Sequence, residues 1–138
     1  MKYLLDVNAL VALGFMDHEF HRRVTDWLRK LAADIPEHGL ATCSITELGF
    51  VRVLAQAAQY GFSISQGCRL LRRLKKAGTI LKFSFLSDDH DISHIPAWVT
   101  TVKQTTDGHL AKLAQAKGAI LATLDEGIPG SFVIPAGK

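Results

Sequence analysis

Four acidic residues lie beside the short apolar runs of this 138-residue chain, and their positions suggest one shared site. Asp6 ends the first apolar run, and Asp125 follows the fourth run by two residues. Glu47 and Asp107 lie in the first turns of two predicted helices. Because sites in open α/β sheets form at the carboxyl ends of the strands, we expect the four carboxylates to converge there.

Carboxylates gathered in one crevice repel each other, and no Lys or Arg lies within two residues of any of these four acids. Such a cluster requires raised pKa values or a bound cation. Oxygen ligands with room for water suit Mg²⁺ or Mn²⁺. Such a cation activates water and binds phosphate oxygens, so the pattern indicates hydrolysis of phosphodiester bonds.

Each acid also has a purely structural interpretation when it is taken alone. Asp6 and Asp125 could each begin a turn, and Asp107 suits the positive end of a helix dipole. Ser44 and Glu47 form the capping-box pattern S-x-x-E, in which side chains bind backbone N–H groups reciprocally. These alternatives stay open for single residues, whereas the combination of four favours a site.

The elements that must position these acids alternate along the chain. Short apolar strands are predicted at 3–5, 40–43, 79–86 and 119–123, with a fifth at 132–134 on the edge. Helices are predicted at 8–15 and 18–33, from 44 to a stop at Gly61, from 63 or 65 to Gly78, and from 105 or 106 to 117, with Gly118 after the last. Apolar strands that lack in–out alternation and are separated by helices indicate a parallel sheet with helices on both faces.

Composition limits the class of protein further. A length of 138 residues fits one domain over 1–138, and 48% hydrophobic with 21% charged residues excludes a disordered chain. The longest stretch without acidic or basic side chains, 53–68, is too short and polar to span a membrane. Cys43 and Cys68 lack CxxC spacing, which predicts free thiols in a reducing cytoplasm. The net charge of +3 permits an anionic partner without requiring one.

Four segments, in this order, resemble the motifs of PIN-domain proteins, and in particular VapC-type toxins of bacterial toxin–antitoxin systems. They are LLDVNAL at 4–10, TEL at 46–48 with Arg52, TDGHLAKLA at 106–114 and LATLD at 121–125. The resemblance covers the chain from about Tyr3 to Ile134. Each motif is short, so the specificity comes from their order and spacing.

The resemblance implies a PIN-like three-layer α/β/α sandwich with a central, mainly parallel sheet of four to five strands. It implies an Mg²⁺-dependent endoribonuclease, with Mn²⁺ as an alternative ion, that cleaves single-stranded RNA. A cognate antitoxin would inhibit the enzyme, and the chain would form a homodimer. Residue by residue, the acids that match the family's catalytic and metal-binding quartet are Asp6, Glu47, Asp107 and Asp125. Asn8 and Thr123 match polar residues that support the quartet, and Gly108 is an unusual neighbour of Asp107 that is expected to loosen the helix start.

A basic stripe provides a candidate RNA contact. Four side chains share one predicted helix face at i, i+3, i+4 and i+7, namely Arg69, Arg72, Arg73 and Lys76. The stripe could bind RNA phosphates, or it could be a solvated helix face, because no aromatic residue interleaves it for base stacking. Arg52 could reach the crevice or remain on the surface. For the basic stripe and for Arg52, both alternatives stay open.

Two other functions within the same family remain open at this point. One is a PIN-type nuclease that processes RNA without an antitoxin. The other is a non-catalytic module that only binds RNA or protein, which the intact acids argue against. A receiver-type phosphoacceptor domain would also gather acids near Mg²⁺. It requires an early acid pair and a late Lys, which this chain lacks at those places.

Overall fold

Strands and helices alternate throughout the computed structural model, which describes residues 1–35, 37–77 and 81–136. A 3-10 turn at Ile92–His94 precedes the last helix. The elements in chain order are β1 (Lys2–Leu5), α1 (Val7–Gly14), α2 (His21–Asp34), β2 (Gly39–Thr42), α3 (Ser44–Gln56), α4 (Ile64–Ala77), β3 (Lys82–Phe85), α5 (Gln104–Ala116), β4 (Ala119–Thr123) and β5 (Phe132–Val133).

The five strands form one sheet in the order β3-β2-β1-β4-β5, and every neighbouring pair is parallel. Leu4 in β1 pairs with Ala41 in β2 and with Leu121 in β4. This register aligns the carboxyl ends of the three central strands at one edge of the sheet. The predicted α/β fold is confirmed, and the sheet is entirely parallel.

Alternate residues of the central strands enter two separate cores. Leu5 and Leu40 face a core that helices α1 to α4 complete, in which Phe50 is fully buried. Leu4 and Leu121 face the opposite core, which is covered by α5. These strands are apolar throughout because both faces of the sheet are covered, as the sequence pattern predicted.

Helix starts and ends differ from the predicted bounds by a few residues. Helix α2 begins at His21, because the preceding residues form turns in which the N–H of His21 donates to the carbonyl of His18 at 3.0 Å. Helix α3 ends at Gln56, before Gly61, which adopts a φ of +66°. Gly118 adopts a φ of +71° directly after the last helix, as expected for a C′ glycine.

The predicted end of α4 at Gly78 and the predicted start of the third strand at Thr79 lie outside the described residues. Strand β3 itself is present from Lys82 to Phe85. None of the helices described within 1–35, 37–77 and 81–136 is long and apolar enough to cross a membrane.

Gly108 allows a close contact rather than loosening the start of α5. It is buried in the first turns of that helix, and a Cβ there would lie 2.3 Å from Val99 Cγ2 and 3.2 Å from Pro96 Cδ. The expectation of a loosened helix start is therefore wrong, because the missing side chain lets residues 96–99 pack against the helix beside Asp107.

We expect Gly108→Ala to lower the free energy of unfolding by about 1–3 kcal/mol, because the new methyl group overpacks this contact. Urea denaturation measures the change. Gly67→Ala is the matched control, since a Cβ at Gly67 meets Val51 Cγ1 at an ordinary 3.5 Å. The control should be neutral or stabilising by about 0.5–1 kcal/mol, because alanine favours a helix. Equal effects of the two substitutions would contradict the packing argument.

Candidate active site

Asp6 lies at the carboxyl end of β1 and caps α1. Its Oδ1 accepts a hydrogen bond from the N–H of Ala9 at 2.9 Å, so the carboxylate closes the first turn of the helix. The residue is only 6% exposed. Asp6 thus acts as a helix N-cap and not as the turn residue considered from the sequence, and its carboxylate stays close to the sheet edge.

Thr123 joins the ends of β1 and β4. Its hydroxyl donates a hydrogen bond to Asp6 Oδ2 at 2.5 Å. The Thr123 hydroxyl oxygen also accepts a hydrogen bond from the N–H of Asp125 at 3.0 Å. Thr123 is fully buried. One hydroxyl therefore fixes the orientation of the Asp6 carboxylate and the backbone that presents Asp125.

Three aspartates interact electrostatically at this edge of the sheet. Burial raises the pKa of Asp6 above 3.8, and the negative charges of Asp107 and Asp125 raise it further, although hydrogen bonds from Thr123 and Ala9 oppose the shift. Burial also raises the pKa of Asp107, with a further contribution from the charge of Asp125. Burial is the larger cause of both shifts, and the neighbouring carboxylates add to it.

Glu47 is engaged by protein groups on its own side of the crevice. The hydroxyl of Thr42, at the end of β2, donates to Glu47 Oε2 at 2.6 Å. The ammonium group of Lys75, from α4, forms an ion pair with the same oxygen. Glu47 is therefore paired with a lysine, whereas Asp6, Asp107 and Asp125 form no ion pair among the residues that the structure describes.

The alternative interpretation of Ser44 and Glu47 as a capping box is contradicted by the structure. Helix α3 begins one residue earlier than that pattern requires, with Cys43 at the N-cap. The N–H of Cys43 donates to Thr46 Oγ1 at 2.9 Å, so Thr46 takes the part that the pattern assigned to Glu47. The Glu47 side chain is thereby released for Thr42 and Lys75.

Within 1–35, 37–77 and 81–136, no three His, Cys, Asp or Glu side chains form a group that could hold a metal ion. The carboxylates instead accept hydrogen bonds from protein donors. Asp6 accepts from Ala9 and Thr123, and Asp125 Oδ1 accepts the N–H of Gly127 at 2.8 Å. The donor set consists of carboxylate oxygens, which fits a hard divalent cation.

Asp125 lines a groove of about 440 Å³, together with Asn8, His18, Glu19, Phe20 and Leu124. Asn8 is exposed on α1, two residues after Asp6. The groove therefore opens beside Asp125, one of the three aspartates.

The basic residues of the predicted stripe all lie on α4 and are exposed. Arg69 and Arg73 line a groove of about 260 Å³ together with Phe62, which precedes the helix. The structure thus adds an aromatic ring that the helical spacing did not reveal. Arg52 is exposed on α3.

Lys75 is the functional candidate that the sequence pattern missed, because it stood within a run of basic residues. It follows the buried Leu71 by four residues, which places both on the inward side of α4. That spacing is the signal that could have separated Lys75 from the exposed stripe.

A second contact missed from the sequence joins Asp88 to His109. The carboxylate lies 2.5 Å from His109 Nε2, and both side chains are mostly buried. Burial opposes ionisation of Asp88, but hydrogen bonds from His109 and from the N–H of His90 lower its pKa below 3.8. The Asp88 carboxylate is therefore tied to α5 through His109.

Without divalent cations, the acid cluster should make the protein less stable as the pH rises. A carboxyl group whose pKa is raised by folding contributes stability below its unfolded value of 3.8, and this contribution is lost as pH rises through the folded pKa. In EDTA, we therefore expect Asp107→Asn to melt at a higher temperature than the parent protein, by a difference that grows as the pH rises above 3.8. The exposed Asp89→Asn is the control. A constant difference between Asp107→Asn and the parent across pH would contradict the predicted charge repulsion.

Comparison with known proteins identifies the class of protein to which this fold and these acids belong. A model described as "PIN domain" matches residues 3–129. The chain belongs to the PIN-domain family.

The curated relatives share a more specific name. Ribonuclease VapC38 of Mycobacterium tuberculosis is 37% identical over 129 residues, which cover 91% of this chain and 86% of that protein. Ribonuclease VapC44 of the same organism is 33% identical, with 100% of this chain and 96% of that protein covered. The resemblance to VapC-type PIN-domain proteins stated from the four motifs is confirmed.

A solved structure shows the same fold. The crystal structure of VapBC2 from Rickettsia felis bound to a DNA fragment from its promoter matches with a TM-score of 0.62, at 17% sequence identity. The match covers 96% of this chain and 97% of that chain. It supports the PIN-like arrangement of a parallel sheet between helical layers.

Proposed function

We propose that this protein is a metal-dependent endoribonuclease and the toxic component of a VapBC-type toxin–antitoxin system. The observation that carries the proposal is the placement of Asp6 and Asp125 at the carboxyl ends of β1 and β4, where the Thr123 hydroxyl joins the Asp6 carboxylate to the backbone of Asp125. Carboxylates gathered at this place in an α/β fold suit a cation and the phosphate that it would bind. The VapC names of the relatives support the ribonuclease activity.

Asp6, Asp107, Asp125 and Glu47 would hold Mg²⁺ or Mn²⁺ through their carboxylate oxygens. When bound, the cation lowers the pKa of water and neutralises charge on the scissile phosphate. The role of Thr123 is to orient Asp6 through the hydroxyl contact and to fix the backbone of Asp125. Asn8 lines the groove through which RNA would enter.

The exposed basic residues would bind the RNA backbone away from the acids. Arg69 and Arg73 flank a groove that also contains Phe62, so phosphate contacts and base stacking could occur together. The proposed RNA-binding set is Arg52, Arg69, Arg72, Arg73 and Lys76.

We expect Arg69→Ala with Arg73→Ala to weaken the binding of single-stranded RNA and to make it less sensitive to salt. Each phosphate contact contributes about 0.7 to the slope of log affinity against log salt concentration, so the slope should decrease by about 1.4. Fluorescence anisotropy at several salt concentrations measures it. Arg22→Ala with Arg29→Ala, on α2, is the charge-matched control. Unchanged slope and affinity in the Arg69 and Arg73 variant would assign the stripe to the solvated surface.

The proposed partner is a cognate antitoxin that covers the acids, and the proposed assembly is a homodimer in the cytoplasm. The carboxylates would attract an arginine from the antitoxin, because a guanidinium group binds carboxylates bidentately and remains charged. Such a side chain would block access of a cation to the crevice. The free thiols Cys43 and Cys68 are compatible with a reducing compartment.

The direct test is cleavage of a labelled single-stranded RNA with Mg²⁺, with Mn²⁺ and with EDTA. Internal cleavage that requires the divalent cation is the expected result. RNA binding without cleavage would instead indicate a non-catalytic module, and cleavage that persists in EDTA would contradict the role of the metal.

A further inference from the structure

Lys75 provides Glu47 with a cation from the protein itself. Its ammonium group contacts Glu47 Oε2 and lies 5.6 Å from the centre of the Phe85 ring at the end of β3. The Lys75 side chain is 29% exposed and that of Glu47 is 26% exposed, so the pair is shielded on most sides. The Lys75 side chain thus extends from α4 to Glu47 on α3 and to Phe85 at the end of β3.

Helix packing brings Lys75 to this position. Gly67 of α4 packs against Val51 of α3, and Leu71 is buried one turn before Lys75. The ammonium group therefore approaches Glu47 from α4, whereas the aspartates lie at the ends of β1 and β4 and at the start of α5. This geometry separates Glu47, which is paired, from the three aspartates, which repel each other.

We propose that Lys75 is a positioning residue that holds Glu47 and competes with the divalent cation for its carboxylate. The inference rests on the proposed metal-dependent function. Glu47 Oε2 accepts from both Thr42 and Lys75, so this oxygen has no free lone pair directed at a further cation unless Lys75 leaves. The lysine stem is flexible and its charge is compact, so the ammonium group can exchange for a metal ion without movement of α4.

The competition sets the affinity for metal. A cation that binds at the aspartates can take Glu47 Oε2 only by displacing Lys75, and while Lys75 stays in place its charge repels a cation that approaches the other oxygen of Glu47. Removing the lysine charge should therefore strengthen cation binding, although Lys75 is distant in sequence from every aspartate of the site.

Mn²⁺ titration, followed by the electron paramagnetic resonance signal of the free ion, tests the proposal. Lys75→Met keeps most of the side-chain volume and removes the charge, and we expect it to bind Mn²⁺ about tenfold more tightly than the parent protein, the equivalent of about 1.4 kcal/mol. Lys75→Gln should act in the same direction. Lys30→Met is the matched control, because Lys30 is exposed on α2 and lies outside both the acid site and the proposed RNA-binding set, and it should change the affinity by less than about twofold.

The same titration in a Glu47→Gln background separates a role through Glu47 from a general effect of charge. There, Lys75→Met should change the affinity by much less than tenfold, because no carboxylate remains for the lysine to hold. An equal or larger gain in that background overturns the proposal, as does an unchanged affinity of Lys75→Met in the parent background.

The parent protein distinguishes this inference from the proposed function. If the parent binds Mn²⁺ and cleaves RNA but Lys75→Met binds no more tightly, only the role of Lys75 is wrong. If neither protein binds Mn²⁺, both the metal site and the role of Lys75 are wrong. Binding by Lys75→Met alone would support the competition directly.

Discussion

Asp6→Asn is expected to reduce RNA cleavage by at least about 100-fold, because loss of even an outer partner of a metal ligand costs about 10–100-fold. The substitution removes the negative charge that is proposed to bind the cation. It should keep the fold, since asparagine caps a helix about as well as aspartate and can accept the same bond from the N–H of Ala9. Cleavage rates and melting temperatures should be measured on the same preparations.

Stability is the internal control for this experiment. Burial raises the pKa of Asp6, so its ionised form costs stability at neutral pH and the asparagine variant should melt no lower than the parent protein. Asp89→Asn, at an exposed position, should cleave at the parental rate. A folded Asp6→Asn variant that also cleaves at the parental rate would remove Asp6 from the site.

Expression of the chain without an antitoxin is expected to arrest growth of the host cell, and co-expression of the cognate antitoxin should restore growth. The physical reason is that uninhibited cleavage of cellular RNA continues until the acids are covered. Colony counts after induction should fall by orders of magnitude for the parent protein, whereas Asp6→Asn should be harmless at equal expression. Purification of the tagged chain from its native host should recover a small protein partner.

The contrary outcome identifies the alternative function. If expression of the chain is harmless, no small protein copurifies and cleavage in vitro is strong, the toxin interpretation is wrong. A PIN-type nuclease that processes RNA without an antitoxin would then describe the protein.

The amino-acid sequence determined the class of fold and the family. Apolar runs without alternation require a sheet that is covered on both faces, and this is a local property of each run. The acids could be assigned to the carboxyl edge because Asp6 directly follows β1 and Asp125 follows β4 by two residues. The four motifs predicted a PIN-domain protein of the VapC type, which the family model and the named relatives confirm.

The tertiary structure alone decided how the acids are held. The bond between Thr123 and Asp6 joins residues 117 positions apart, and the pair of Lys75 with Glu47 joins positions 28 apart. No local pattern encodes such contacts, because they arise only when strands align and α4 packs on α3. The requirement for Gly108 depends on the approach of residues 96–99 for the same reason. Sequence thus specified which charges reach the edge, and packing determined that three of them repel each other while Glu47 is neutralised by a lysine.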